Sequence, residues 1–101
     1  MLNPFTPFGD CSLIRMANLY ANVAQVGRTV EIAALLELVT TAPARLMNLK
    51  DYGFALGNPA DIVVLDCTSA AAAVAELAPP MLGYKRGRLT FERPAAQINW
   101  P

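Results

Sequence analysis

Histidine is absent from all 101 residues. That removes imidazole general bases, Ser-His and Cys-His nucleophile pairs, and the usual zinc and iron ligand sets at once. The two cysteines, Cys11 and Cys67, form no CxxC pair and suggest neither a disulfide framework nor a metal clip. Excess charge is missing too. Eight basic and eight acidic side chains balance, so no electrostatic footprint points to nucleic acid or a membrane surface. No apolar run approaches the ~18 residues of a membrane span, and the opening residues lack the basic and apolar regions of a signal peptide. The expectation is a soluble cytoplasmic protein with no nucleic-acid and no membrane partner. The eight acids hold no DxD, ExxE or DxxE pair. Asp61 and Asp66, five apart on an expected strand, point to opposite faces.

What is present is apolar: 54% of residues are hydrophobic and 16% charged, enough to drive collapse into one small domain. Asp10 or Ser12 is placed to cap a helix running to about Gln25. Its polar residues, Ser12, Arg15, Asn18, Asn22 and Gln25, fall in one stripe. The remainder is apolar, so this helix calls for cover on most sides. Gly27 is expected to end it, and Thr29 to cap a second, largely apolar helix from Val30 to about Val39. A short third helix is expected from about Pro43 to Leu49, capped by Thr40 or Thr41. Residues 51–60, with Gly53, Gly57 and Pro59, read as turns.

ADIVVLD reads as a buried strand from Asp61 to Asp66. Ser69 to Leu77 is an Ala-rich helix capped by Ser69, with little apolar bulk to anchor it. Pro79-Pro80 stops that helix. MLGYKRGRLTFE reads as a hairpin with Gly87 in its turn, Met81 to Arg86 as one strand and Leu89 to Glu92 as the other. Its cations Lys85, Arg86 and Arg88, with Arg93, read as a solvated edge. The class is α+β: two to three N-terminal helices, then a small antiparallel sheet of about three strands. Residues 1–50 form a helical segment and 51–101 a β segment, within one compact unit. Apolar helices outrun the cover this sheet can give, so self-association as a homodimer or larger is expected, through helical faces or an open sheet edge.

Three stretches in this order carry a resemblance: NPFTPFGD before a helix, TTAPARLMNL running into YGFALGNPADIVVLD, and the late GYKRGRLTFE. Together they resemble the C-terminal end of the amidohydrolase superfamily, in its cytosine deaminase-like branch. The resemblance covers almost all of this chain and about the last quarter of such an enzyme. It implies a metal-dependent hydrolase of C–N bonds other than peptide bonds, with a (β/α)₈ barrel flanked by a small β-domain. The family holds a divalent zinc or iron ion through an HxH pair, two further His residues and an Asp after the eighth strand, and that metal activates water. This chain has no His, and that Asp would precede the opening loop. No residue here is therefore expected to be catalytic or to bind metal, and no cofactor is expected for the chain itself.

The motif residues Pro43, Ala44, Arg45, Gly57, Ala60 and Asp61 read as structural. Pro43 sets a first helical turn, Ala44 permits close approach, and Arg45 makes an ion pair or bonds helix-end carbonyls. Gly57 supplies a turn of positive φ, and Asp61 satisfies backbone donors at the strand entry. The family pattern puts Phe5 at the border of the substrate pocket, in a complete enzyme only. Asp10 follows that aromatic instead of preceding it, which makes it a helix cap and not the family's metal-site Asp. Since the chain begins just after the catalytic Asp would have passed, it is expected to be a truncated reading frame, a gene remnant or an expressed tail. The alternative is a stand-alone interaction module that binds a partner chain.

Overall fold

The first turn of the first helix already shows how local chemistry sets the elements. In the computed structural model, which describes residues 9–100, Ser12 sits extended and its hydroxyl accepts from the Arg15 N–H, starting α1 (Leu13–Val23). The chain continues through α2 (Thr29–Leu38), α3 (Thr41–Leu46), β1 (Ile62–Leu65), α4 (Ala70–Ala75), β2 (Pro80–Lys85) and β3 (Arg88–Glu92). The three strands form an antiparallel sheet in the order β1-β2-β3. The fold is α+β, as expected. No helix among the described residues is long and apolar enough to cross a membrane.

Several boundaries differ from the sequence reading, for physical reasons. Gly27 does not end α1. Gln25 does, in the left-handed region at φ 51. Around it the Val26 N–H reaches Ala21 O at 2.9 Å and the Gln25 N–H reaches Asn22 O at 3.3 Å, the paired bonds of a Schellman motif. Asn48 closes α3 in the same way at φ 55, with Leu49 N–H to Ala44 O at 2.9 Å and Asn48 N–H to Arg45 O at 3.0 Å. Thr29 does not cap α2; Arg28 occupies that position with no side-chain bond to the backbone and pairs with Glu31 instead. Neither Thr40 nor Thr41 caps α3 with its hydroxyl. Thr40 is committed backwards, its Oγ1 donating to Leu36 O at 2.8 Å.

The core is small and lies among the helices. Ala17 of α1, Leu35 of α2 and Val74 of α4 form its centre, with Ala21, Val26, Ile32, Leu36 and Val39 packed around them. The Ala-rich α4, expected to anchor weakly, is the most deeply buried helix, with Ala71, Ala73 and Val74 all enclosed. Its lack of bulk is what admits it: short side chains let its backbone close on α2, its main neighbour. Ser69 caps it as expected, accepting from the Ala72 N–H at 3.1 Å.

The faces of α1 are not arranged by polarity. Its small side, Ala17 and Ala21 with Asn18, turns inward, while Leu13, Met16, Leu19, Tyr20 and Val23 each stand at least half exposed. The sheet is similarly bare, since no helix lies broadly over either face. Accordingly the chain exposes 8495 Å², whereas an ordinary folded monomer of this mass exposes about 5,600 Å². Its radius of gyration is 15.5 Å, against about 13 Å for a compact chain of this length.

Candidate functional site

The residues singled out by the sequence fall at three places. Phe5 lies outside the described residues, as does Phe8. Pro43, Ala44 and Arg45 sit on α3, where Ala44 is buried and α3 meets α2. The Arg45 side chain is exposed and, among the described residues, makes no ion pair or hydrogen bond. The ion pair or helix-end bond expected of it is not made; the side chain is left to solvent. Gly57 takes φ 93, the positive φ its turn demands.

Ala60 and Asp61 converge with the hairpin turn. Arg86 and Gly87 form that turn with φ 49 and 75, both positive as a type I′ turn requires. Three contacts fasten it. The Asp61 carboxylate accepts from the Arg86 N–H at 2.7 Å and from the Lys85 ammonium, and Ala60 O accepts from the Gly87 N–H at 3.0 Å. The Lys85 bond first, then the Arg86 amide, holds the Asp61 carboxyl below the usual carboxylate range. This is a backbone clamp; its one carboxylate is consumed by donors of the same chain.

The second polar group lies at the start of α1. Asp10 takes Arg15 in a fork, Oδ2 to Nη2 at 2.8 Å and Oδ1 to Nε at 3.1 Å, and also accepts the Ser12 N–H at 3.0 Å. The Arg15 guanidinium, with the Ser12 amide, lowers the Asp10 carboxyl to about 2. A third group escaped the sequence reading. Asn18 Nδ2 donates to Val74 O at 2.9 Å and Ala75 O at 3.3 Å, tying α1 to the last turn of α4. Asn22 Nδ2 in turn donates to Asn18 Oδ1 at 3.1 Å and orients that amide. The available signal was an Asn beside Ala17 on a helix whose other short residues also turn inward.

None of this fits a catalytic metal. No group of three His, Cys, Asp or Glu among the described residues is placed to hold an ion, and the two best-placed carboxylates already satisfy cations and amides. A hollow of about 390 Å³, open to solvent, is lined by Val30, Ala33, Ala34, Leu36, Glu37, Thr40 and Ala70. It offers a single carboxylate and no nucleophile with a base.

The fold itself is informative. It superposes over its whole length on 5-methylcytosine deaminase from Klebsiella pneumoniae, solved with 5-fluorocytosine, at a TM-score of 0.92 and 25% identity. The chain resembles the C-terminal portion of a cytosine deaminase-like amidohydrolase. The same deaminase solved with phosphonocytosine gives a TM-score of 0.90, again at 25% identity. In sequence, the chain is 26% identical over 86 residues to N-isopropylammelide isopropyl amidohydrolase of Pseudomonas sp. strain ADP, across 84% of this chain. No family model matches. The chain spans 25% of the deaminase and 21% of the Pseudomonas amidohydrolase.

Proposed function

We propose that this chain is a catalytically silent, structural segment of a metal-dependent amidohydrolase acting on C–N bonds other than peptide bonds. One observation carries the reading: all of the chain matches a quarter of a deaminase, yet it contains no histidine with which to hold the metal that such chemistry uses. Within an amidohydrolase, α1 to α3 serve as closing barrel helices and the sheet as part of the flanking β-domain. Phe5 borders the substrate pocket only when the barrel is present.

The test is metal analysis of the purified chain together with ammonia release from cytosine and 5-methylcytosine. The expected result is no stoichiometric zinc or iron and no release above buffer. Metal-dependent turnover by the chain alone would overturn the proposal.

The bulky apolar residues turned outward on α1 and the surplus of exposed area support a second, compatible reading, a cytoplasmic association module. On that reading the chain joins a second copy or a partner chain.

A further inference from the structure

The sheet has two outer edges, and they differ. On β3 a bulge intervenes: Gly83 faces Phe91 while Tyr84 faces Leu89. Thr90 is left over, and its Oγ1 donates to Gly83 O at 2.8 Å. The bulge breaks the two-residue rhythm along that edge and blunts it. On β1 the register runs regularly, Ile62 to Tyr84, Val63 to Gly83 and Val64 to Leu82, and shifts only after Val64.

Two bonds fix which residues of β1 face outward. Arg93 N–H donates to Met81 O at 2.8 Å, and Asp66 N–H donates to Pro79 O at 3.1 Å. With the alternation of an antiparallel ladder, Gly83 and Lys85 then direct their amide groups at β3, and Leu82 and Tyr84 direct theirs at β1. Ile62 and Val64 therefore bond to β2, while Asp61, Val63 and Leu65 turn their backbone groups outward. Local bonds close the two ends of this edge: Asp61 N–H to Pro59 O at 2.8 Å and Cys67 N–H to Leu65 O at 3.1 Å. Among the described residues, four groups stay open: the Asp61 carbonyl, the Val63 N–H, the Val63 carbonyl and the Leu65 N–H.

That set is complementary to itself. We propose that β1 is the contact between two copies of this chain, paired antiparallel about a two-fold axis through Val63. Val63 exchanges two hydrogen bonds with its counterpart, and each Leu65 N–H donates to the other copy's Asp61 carbonyl. The two three-stranded sheets become one of six strands. Val63, 58% exposed, meets its equivalent, and Ile62 meets Val64, 42% exposed. In this register Asp61 stands opposite Leu65, and its carboxylate is already held by Lys85. The register one residue away would set Asp61 against Asp66, but it opposes amides that do not face each other. The inference rests on the self-association proposed above and adds its surface, register and symmetry.

Light scattering and sedimentation of the full chain test it. Twice the chain mass of 10.9 kDa is expected. Val63→Pro deletes an outward N–H, which an edge strand tolerates. The variant should keep its far-UV spectrum and dimerise at least ~10-fold more weakly. Because residue 63 meets itself, Val63→Lys and Val63→Glu should each be monomeric alone and form a one-to-one dimer when mixed.

A wild-type monomer at about 100 µM overturns self-association and the edge together. A folded Val63→Pro chain that dimerises undiminished overturns the edge and leaves self-association standing, on the helical faces. If Val63→Pro fails to fold, the Lys and Glu pair decides, and no association on mixing overturns the inference.

Discussion

A methyl group added at Gly83 meets the Phe91 ring, its nearest atom 2.1 Å away. The ring lies over the glycine and buries it, so backbone and aromatic fill a space that two side chains cannot share. Gly83→Ala is expected to destabilise the chain by about 1–3 kcal/mol in urea unfolding, and clearly less when Phe91→Ala removes the ring. Asp10 makes a prediction of the opposite kind, visible only in acid. Its carboxyl lies at about 2 in the folded chain against an ordinary 3.8. Its contribution is thus complete above the ordinary value and drains away as pH falls from about 4 toward 2. Asp10→Asn should lower stability near neutrality and flatten the fall in melting temperature over that acid window. A variant with the wild-type acid profile would show that the Arg15 fork contributes nothing.

Among the elements, the hydrogen-bond chemistry was readable where it is local. Ser12 and Ser69 announce their helices by a hydroxyl three residues before a free N–H, and Gly87 announces the hairpin by the positive φ its turn needs. What could not be read is packing. Hydrophobicity counts the bulk of a side chain, not how closely a backbone can approach, so α4 looked weakly anchored where its alanines draw it deepest. The same failing hid Asn18, whose amide bonds α4 across the inward side of α1. Asn18→Ala should cost about 1–3 kcal/mol, since it leaves two carbonyls at the end of α4 short of a donor. Asn22→Ala should cost less, because it only loosens the orientation of that amide. The left-handed helix end is a further case, for Gln25 gave no sequence signal and the nearby Gly27 drew the boundary. Gln25→Gly should stabilise α1 by about 1 kcal/mol, by removing the side-chain penalty of φ 51. The measurement is chemical denaturation of all three variants.

For the whole molecule, the lack of histidine is legible in the sequence. Its two best-held carboxylates are engaged within the chain, Asp61 by the Arg86 amide and Lys85 and Asp10 by Arg15. Asp61 fastens a turn and Asp10 a helix start. The α+β order and three-stranded sheet were equally legible, because strand propensity, turn residues and apolar runs agree along the second half of the chain. The orientation of α1 was not legible, since its small residues Ala17 and Ala21 turn inward while its bulky side chains stand at least half exposed.

The surplus of exposed surface has a calorimetric consequence. An unfolded chain of this mass exposes about 15,800 Å², so folding to 8495 Å² buries roughly 7,300 Å², about seven-tenths of what an ordinary domain of the size buries. Heat-capacity change and denaturant slope both scale with that area. A dilute solution should therefore unfold with a shallow slope and a small heat-capacity step. If copies pair as proposed, both should rise with concentration, along with the melting temperature.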